Sequence, residues 1–204
     1  MTSFLIAFAF SFVGSIPPGA INISVIQLSL ESKIRSAVYF SLAASIVELP
    51  YAFIALTFSE WIMSNQIVLQ YIKLIGALVM IVLGTINLIS YFKLKNEQVK
   101  IRDRLSGFKN GFIISIVNPL AIPFWIVVTT YLINMEWIVL QKVSDKLLYT
   151  LGVSAGTLAL LLSLIALSNK FNIRLNNQRY AKLIPAIIFY LLGFYALFEA
   201  YHIY

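Results

Sequence analysis

Between Phe4 and Leu30 the chain is almost wholly apolar, and the middle of that run reads SIPPGAIN, Ser15 to Asn22. Pro17 and Pro18 have no backbone donor to give, and Gly19 holds helical geometry weakly, so one continuous helix is not expected through them. The flanking apolar residues place the interruption at membrane depth. Unpaired main chain is tolerated there only if it is buried in protein or lines a wet cavity. A span broken in this way is a candidate binding site.

Composition supports the membrane setting. Of the 204 residues, 60% are hydrophobic and 11% charged, and the mean hydropathy is +0.89, far from a soluble domain. Aqueous loops are short, so the chain is expected to form one membrane unit. With no cysteine and one histidine, disulfides, thiol chemistry and Cys- or His-rich metal sites are excluded, and no cofactor is expected. The net charge of +7 reports orientation and contact with anionic lipid in such a protein, and nucleic acid is not an expected partner. The first Lys or Arg is Lys33, so the N-terminus lacks the basic region of a signal peptide and its first segment is expected to be retained.

Windows of about 20 apolar residues fit at 3–28, 36–58, 67–92, 111–134, 147–168 and 181–203. Lys33, Arg35, Lys93, Lys95, Lys100, Arg102, Arg104, Lys109, Lys170, Arg174, Arg179 and Lys182 follow the odd-numbered segments, against Lys73, Lys142 and Lys146 on the other side. Twelve against three places the odd-numbered loops in the cytoplasm and both termini outside it. YIKLIGALVMIVLG from Tyr71 also aligns without gaps to YAKLIPAIIFYLLG from Tyr180. Taking these as counterparts gives two three-helix halves, 1–92 and 111–204, joined by a basic linker, 93–110. An odd number of crossings in each half makes the second upside down relative to the first. The fourth segment then needs its own break, and SIVNPLAIPFW, Ser115 to Trp125, supplies Pro119 and Pro123.

Glu48 in SIVELPY is the sharpest single residue, roughly 18 Å along its helix and near the midplane. A carboxyl there costs several kcal/mol by insertion scales and faces a cavity or a partner. It reads as a counter-charge for a substrate ammonium or as a proton-coupling site, with a helix-tying carboxyl as the structural alternative. Pro50 is expected to bend the helix and free a carbonyl beside it. Helices restarting after Pro18 and Pro119 would aim free N–H groups and positive dipole ends at a carboxylate. Asn22 and Asn118 stand at those breaks, as substrate contacts or as local caps. Gly152, Ser154, Gly156 and Thr157 form a small-residue face, expected to serve close packing. Trp61 and Trp137 read as interfacial anchors, and Glu199 and His202 as exposed terminal groups. Lys73 and Lys182 are placed to snorkel from helix starts.

With these residues in view the chain resembles the lysine exporter (LysE/RhtB) family of amino-acid translocators. Pro18-Gly19-Ala20 followed by Asn22 is similar to the family's early Pro-Gly-Pro motif, and Gly111-Phe112 followed by Asn118-Pro119 to its second-half motif. Glu48 falls near the acidic residue the family carries in its second helix. Ala20 stands in place of the second proline, and Leu120 follows Asn118-Pro119 where a lysine is common. That change removes a cation that could meet a carboxylate. The resemblance implies efflux of an amino acid or similar zwitterion from the cytoplasm, driven by protons, by a homodimer in the cell inner membrane.

The expectation is therefore an all-α integral membrane protein of six transmembrane helices as two inverted repeats. It is a secondary exporter working by alternating access, and not an enzyme, since no catalytic pair stands at membrane depth. The substrate-binding set is Pro17, Pro18, Gly19, Asn22, Glu48, Asn118, Pro119, Leu120 and Pro123, with Glu48 also the proton-coupling group. A small-ion or metal exporter on a related scaffold and a non-transport assembly subunit are the rival readings. The lack of several charged ligands counts against a metal.

Overall fold

In hydrocarbon the backbone finds hydrogen-bond partners only within the protein, which leaves a chain of this composition the choice of helices. The computed structural model describes residues 1–16, 19–65, 104–118 and 121–171, together with helical positions scattered between 77 and 92 and between 186 and 198. They form α1 (Thr2–Gly14), α2 (Ala20–Leu30), α3 (Ile34–Ser64), α4 (Arg104–Ile116), α5 (Ala121–Asn134) and α6 (Val143–Phe171). No strand occurs among the described residues. α3 and α6 are each long and apolar enough to cross a membrane, and α4 with α5 make a third such span bent by 64°. α1 and α2 have 13 and 11 residues, about 20 Å or less at 1.5 Å each, too short to cross alone. Leu5, Phe53, Phe58, Leu151 and Leu167 lie exposed on the outer surface. Water penalises such a surface and lipid tails do not.

Against the segments expected from hydropathy, α3 runs 34–64 rather than 36–58, and α6 143–171 rather than 147–168. The fourth span differs most. It starts at Arg104 rather than 111, so the end of the expected linker is helix. Hydropathy registers only the apolar part of a helix, whereas Gly107 already packs on the main chain of Ser36 and carries the helix outward past polar residues. Pro50 does not interrupt α3, and the Ser154 hydroxyl donates to the neighbouring Ser45 carbonyl at 2.7 Å. Most of the third and sixth expected segments, the stretch 93–103, and Lys73, Lys182, Glu199 and His202 lie outside the described residues.

Two close contacts set the packing. α1 runs along α6 in the same direction, and a methyl group added to Gly152 would lie 2.5 Å from the Phe4 carbonyl oxygen, while one on Gly156 would collide with that of Phe8. α4 runs along α3 likewise, and a methyl group added to Gly107 would lie 2.7 Å from the Ser36 carbonyl oxygen and one on Gly111 2.5 Å from that of Phe40. Helices approach this closely only where neither side chain intervenes, which is how small residues drive association in lipid. The expected packing role of the Gly152 and Gly156 face is the one observed. Between these pairs, Val47, Tyr51, Ala52, Ala55, Trp125, Tyr149 and Val153 make one buried cluster, and Val25, Leu28, Phe40, Ala44, Leu161 and Ile165 another. At the far end of α3, Glu60 pairs with Lys146 of α6.

The helices also end in matched ways. α2 closes with Ser32 N–H on the Ser29 carbonyl at 3.0 Å and Lys33 N–H on Leu28 at 2.9 Å. α5 closes with Glu136 N–H on Ile133 and Trp137 N–H on Leu132, both at 3.0 Å. Each is a Schellman-type stop, and each puts a non-glycine residue at positive φ, Ser32 at 59° and Glu136 at 57°. α1 and α4 stop alike as well. Ser15 and Ile16 N–H donate to Ser11 and Val13, and Val117 and Asn118 N–H to Ile113 and Ser115, at 2.9 to 3.1 Å. In the described parts of the third and sixth segments, a methyl group added to Gly84 would lie 3.3 Å from the Ala186 carbonyl oxygen and one on Gly193 3.2 Å from that of Ala77. The Thr85 and Tyr190 hydroxyls are bonded at 2.8 Å.

Candidate functional site

The first break lies between Gly14 and Ala20, and Pro17 and Pro18 are outside the described residues. Its upstream half is tied to α6. The Ser11 hydroxyl donates to the Val153 carbonyl at 2.6 Å and lies 2.9 Å from the Thr157 hydroxyl, itself 3.3 Å from that of Ser15. The Asn22 side-chain amide reaches back across the break to the Ser15 carbonyl at 2.8 Å, so the local cap weighed for Asn22 is realised. Gly19 is extended (φ −108°, ψ −172°) and no side chain caps the α2 N-terminus. Among the described residues, a methyl group on Gly19 would meet nothing within 4 Å, so none of them crowds the leading end of α2 and its positive dipole end.

At the second break α4 ends at Ile116 and α5 begins at Ala121, with Pro119 and Leu120 outside the described residues. Proline brings no N–H to the carbonyl four residues earlier, which is Ser115. The Tyr51 hydroxyl, from α3, donates to the Ser115 carbonyl at 3.2 Å and the Ile116 carbonyl at 2.7 Å, closing the end of α4 from outside. Three residues before Tyr51, on the same face of α3, Glu48 accepts the indole N–H of Trp125 at 2.6 Å. Glu48 is 9% exposed and Trp125 2%. Among the described residues no lysine or arginine pairs with this carboxyl. The buried Ser115 hydroxyl has no hydrogen-bond partner there either. Pro123 falls within the first turn of α5 and not in the break, a position where its missing N–H costs little. Asn118, half-buried, ends the turn after α4.

The folded chain thus brings Glu48 to the second break, with Asn118 at its edge. It holds Asn22 and Gly19 at the first, where α2 shares a buried cluster with both α3 and α6. Tyr51, Ser115 and Trp125 were not picked out from the sequence. One signal was present for Trp125. It lies mid-span, whereas Trp61 and Trp137 stand half-exposed at helix ends, and a buried indole needs an acceptor. Tyr51 carried only its spacing from Glu48. Among the described residues no group of three or more His, Cys, Asp or Glu side chains comes together.

The sequence matches the family model for LysE type translocators over residues 12–200. It matches no curated protein and no solved structure.

Proposed function

The chain belongs to the LysE type translocator family, and from that premise we propose that this membrane transporter exports amino acids or related small zwitterions from the cytoplasm by alternating access. The observation that carries the reading is the Glu48 carboxyl, buried at a broken span with one indole donor and no cation facing it among the described residues. An unneutralised carboxyl at that depth is costly, and a substrate ammonium or a proton supplies the missing charge. The substrate carboxylate is placed at the open N-terminus of α2, beside Gly19 and Asn22, and at the restart after Pro119 and Leu120, where backbone N–H groups favour an anion. Asn118 borders the same space, Pro17, Pro18 and Pro119 make the breaks, and Pro123 stands in the first turn of the helix beyond the second. Glu48 exchanges protons for substrate in each cycle.

The scaffold of this reading is two inverted three-helix repeats, 1–92 and 111–204. The matched helix ends support it. So do the reciprocal contacts of Gly84 with Ala186 and of Gly193 with Ala77, since these pairs exchange under the 109-residue shift that aligns Tyr71 with Tyr180. An inner-membrane location, external termini and a homodimer complete the proposal.

The test is efflux of labelled leucine, lysine and glutamate from proteoliposomes, wild type against Glu48→Gln. The expected loss is about 100-fold, the scale of a buried charge contact of roughly 3 kcal/mol. Unchanged efflux in the variant removes Glu48 from the mechanism.

A further inference from the structure

We propose that Trp125 is a positioning residue that transmits the state of the Glu48 carboxyl to the second broken span, and that this span, not the first, moves during transport. The proposal rests on the reading of Glu48 given above. A single turn of α3 holds both halves of the second span. Tyr51 grips α4 through the Ser115 and Ile116 carbonyls, and Glu48 grips α5 through Trp125. The two grips differ in kind. A phenol on a carbonyl keeps its donor and its acceptor whichever charge the carboxyl carries. The indole N–H can only donate, and it donates more strongly to a carboxylate than to a neutral acid or to a carboxylate already shared with an ammonium.

A cation or proton arriving at Glu48 therefore loosens α5 and leaves α4 in place. Further along α5, the Thr130 hydroxyl donates to that of Ser59 at 3.0 Å, whose own proton goes to the Ala55 carbonyl of α3 at 2.7 Å. This fixes the far end, so the motion is a swing of the first turns of α5 away from α3. The Ser115 hydroxyl, buried and without a hydrogen-bond partner among the described residues, lies at the same break. The first break offers no comparable lever. The described hydrogen bonds that hold it come from Asn22, Ser11, Ser15 and Thr157, none of which titrates.

The experiment compares wild type, Trp125→Phe and Glu48→Gln as purified full-length proteins, by hydrogen–deuterium exchange and by transport of labelled leucine, lysine and glutamate. Both variants are expected to speed exchange over 121–126 about 5-fold while 20–30 stays within about 2-fold, because only one of the two breaks loses its grip. Trp125→Phe should slow efflux about 10-fold with probe affinity within about 2-fold, the mark of a residue that acts on the conformational step. Trp125→His, which keeps a ring N–H, should recover part of that loss. In a Trp61→Phe, Trp137→Phe background, emission from Trp125 should shift on adding the transported probe and stay still in Glu48→Gln. Equal acceleration at both breaks, or none at 121–126, overturns the proposal even if one variant folds poorly, since either variant alone reports the grip. If wild type transports no probe but the exchange pattern holds, the substrate reading fails and the coupling stands.

Discussion

At the first break the span closes its own gap, with Asn22 reaching back seven residues to Ser15, and its upstream half leans on α6 through hydroxyls and two glycines. At the second, the donors and acceptors belong to another helix, and one of them is an ionisable carboxyl. The helices that lead into the two gaps are stopped by equivalent backbone bonds. Two similar backbones are therefore held by different side chains. A break capped from within depends on local geometry. A break capped from a neighbour can be released by what happens on that neighbour.

The comparison can be tested from its strongest element downward. Gly156→Leu and Gly111→Leu should be comparably damaging, each costing about 3 kcal/mol or more because the new side chain meets backbone that cannot yield. Loss of monodisperse protein on size-exclusion chromatography reads this, and survival of one variant would show that the two upstream halves are not held alike. Tyr51→Phe comes next, at about 1–3 kcal/mol, since two carbonyls at the end of α4 lose their shared donor. Denaturation in mixed micelles measures it, and a cost no larger than that of Asn22→Ala, expected near 1 kcal/mol, would erase the distinction between external and internal capping.

Thr157→Val should cost about 0.6–1.5 kcal/mol, the range of interhelical hydroxyl bonds in membranes. Thermal unfolding in detergent checks it, and destabilisation above that of Tyr51→Phe would make the first break the more dependent on its neighbour. Smallest of all, Ser115→Ala should leave stability unchanged or raise it by up to about 1 kcal/mol, because it removes a buried hydroxyl with no partner among the described residues. A clear loss in the same assay would mean that the hydroxyl is engaged.

Much of this is legible in the order of residues alone. Pro17, Pro18 and Gly19 announced a gap because proline lacks a donor wherever it stands, and Pro119 did the same for the fourth span. Glu48 stood out because a carboxyl in an apolar run is expensive in any fold. Pro123 misled, since a proline in the first turn of a helix and one in a break look the same until the helix start is known. The length of α4 was also misjudged, because a helix continues past its apolar portion when Gly107 can lie flat on a neighbouring backbone.

What the sequence determined by itself was chemistry that does not depend on neighbours: membrane residence from hydropathy, helix interruption from missing donors, and a costly carboxyl from its surroundings. Only the tertiary structure decided who answers each unpaired group. Asn22 serves its own span, while Tyr51 and Trp125, separated by 74 positions, meet on either side of Glu48's turn to serve the other. That choice is set by which helix faces pack together, and packing between distant segments leaves no local trace in the order of residues.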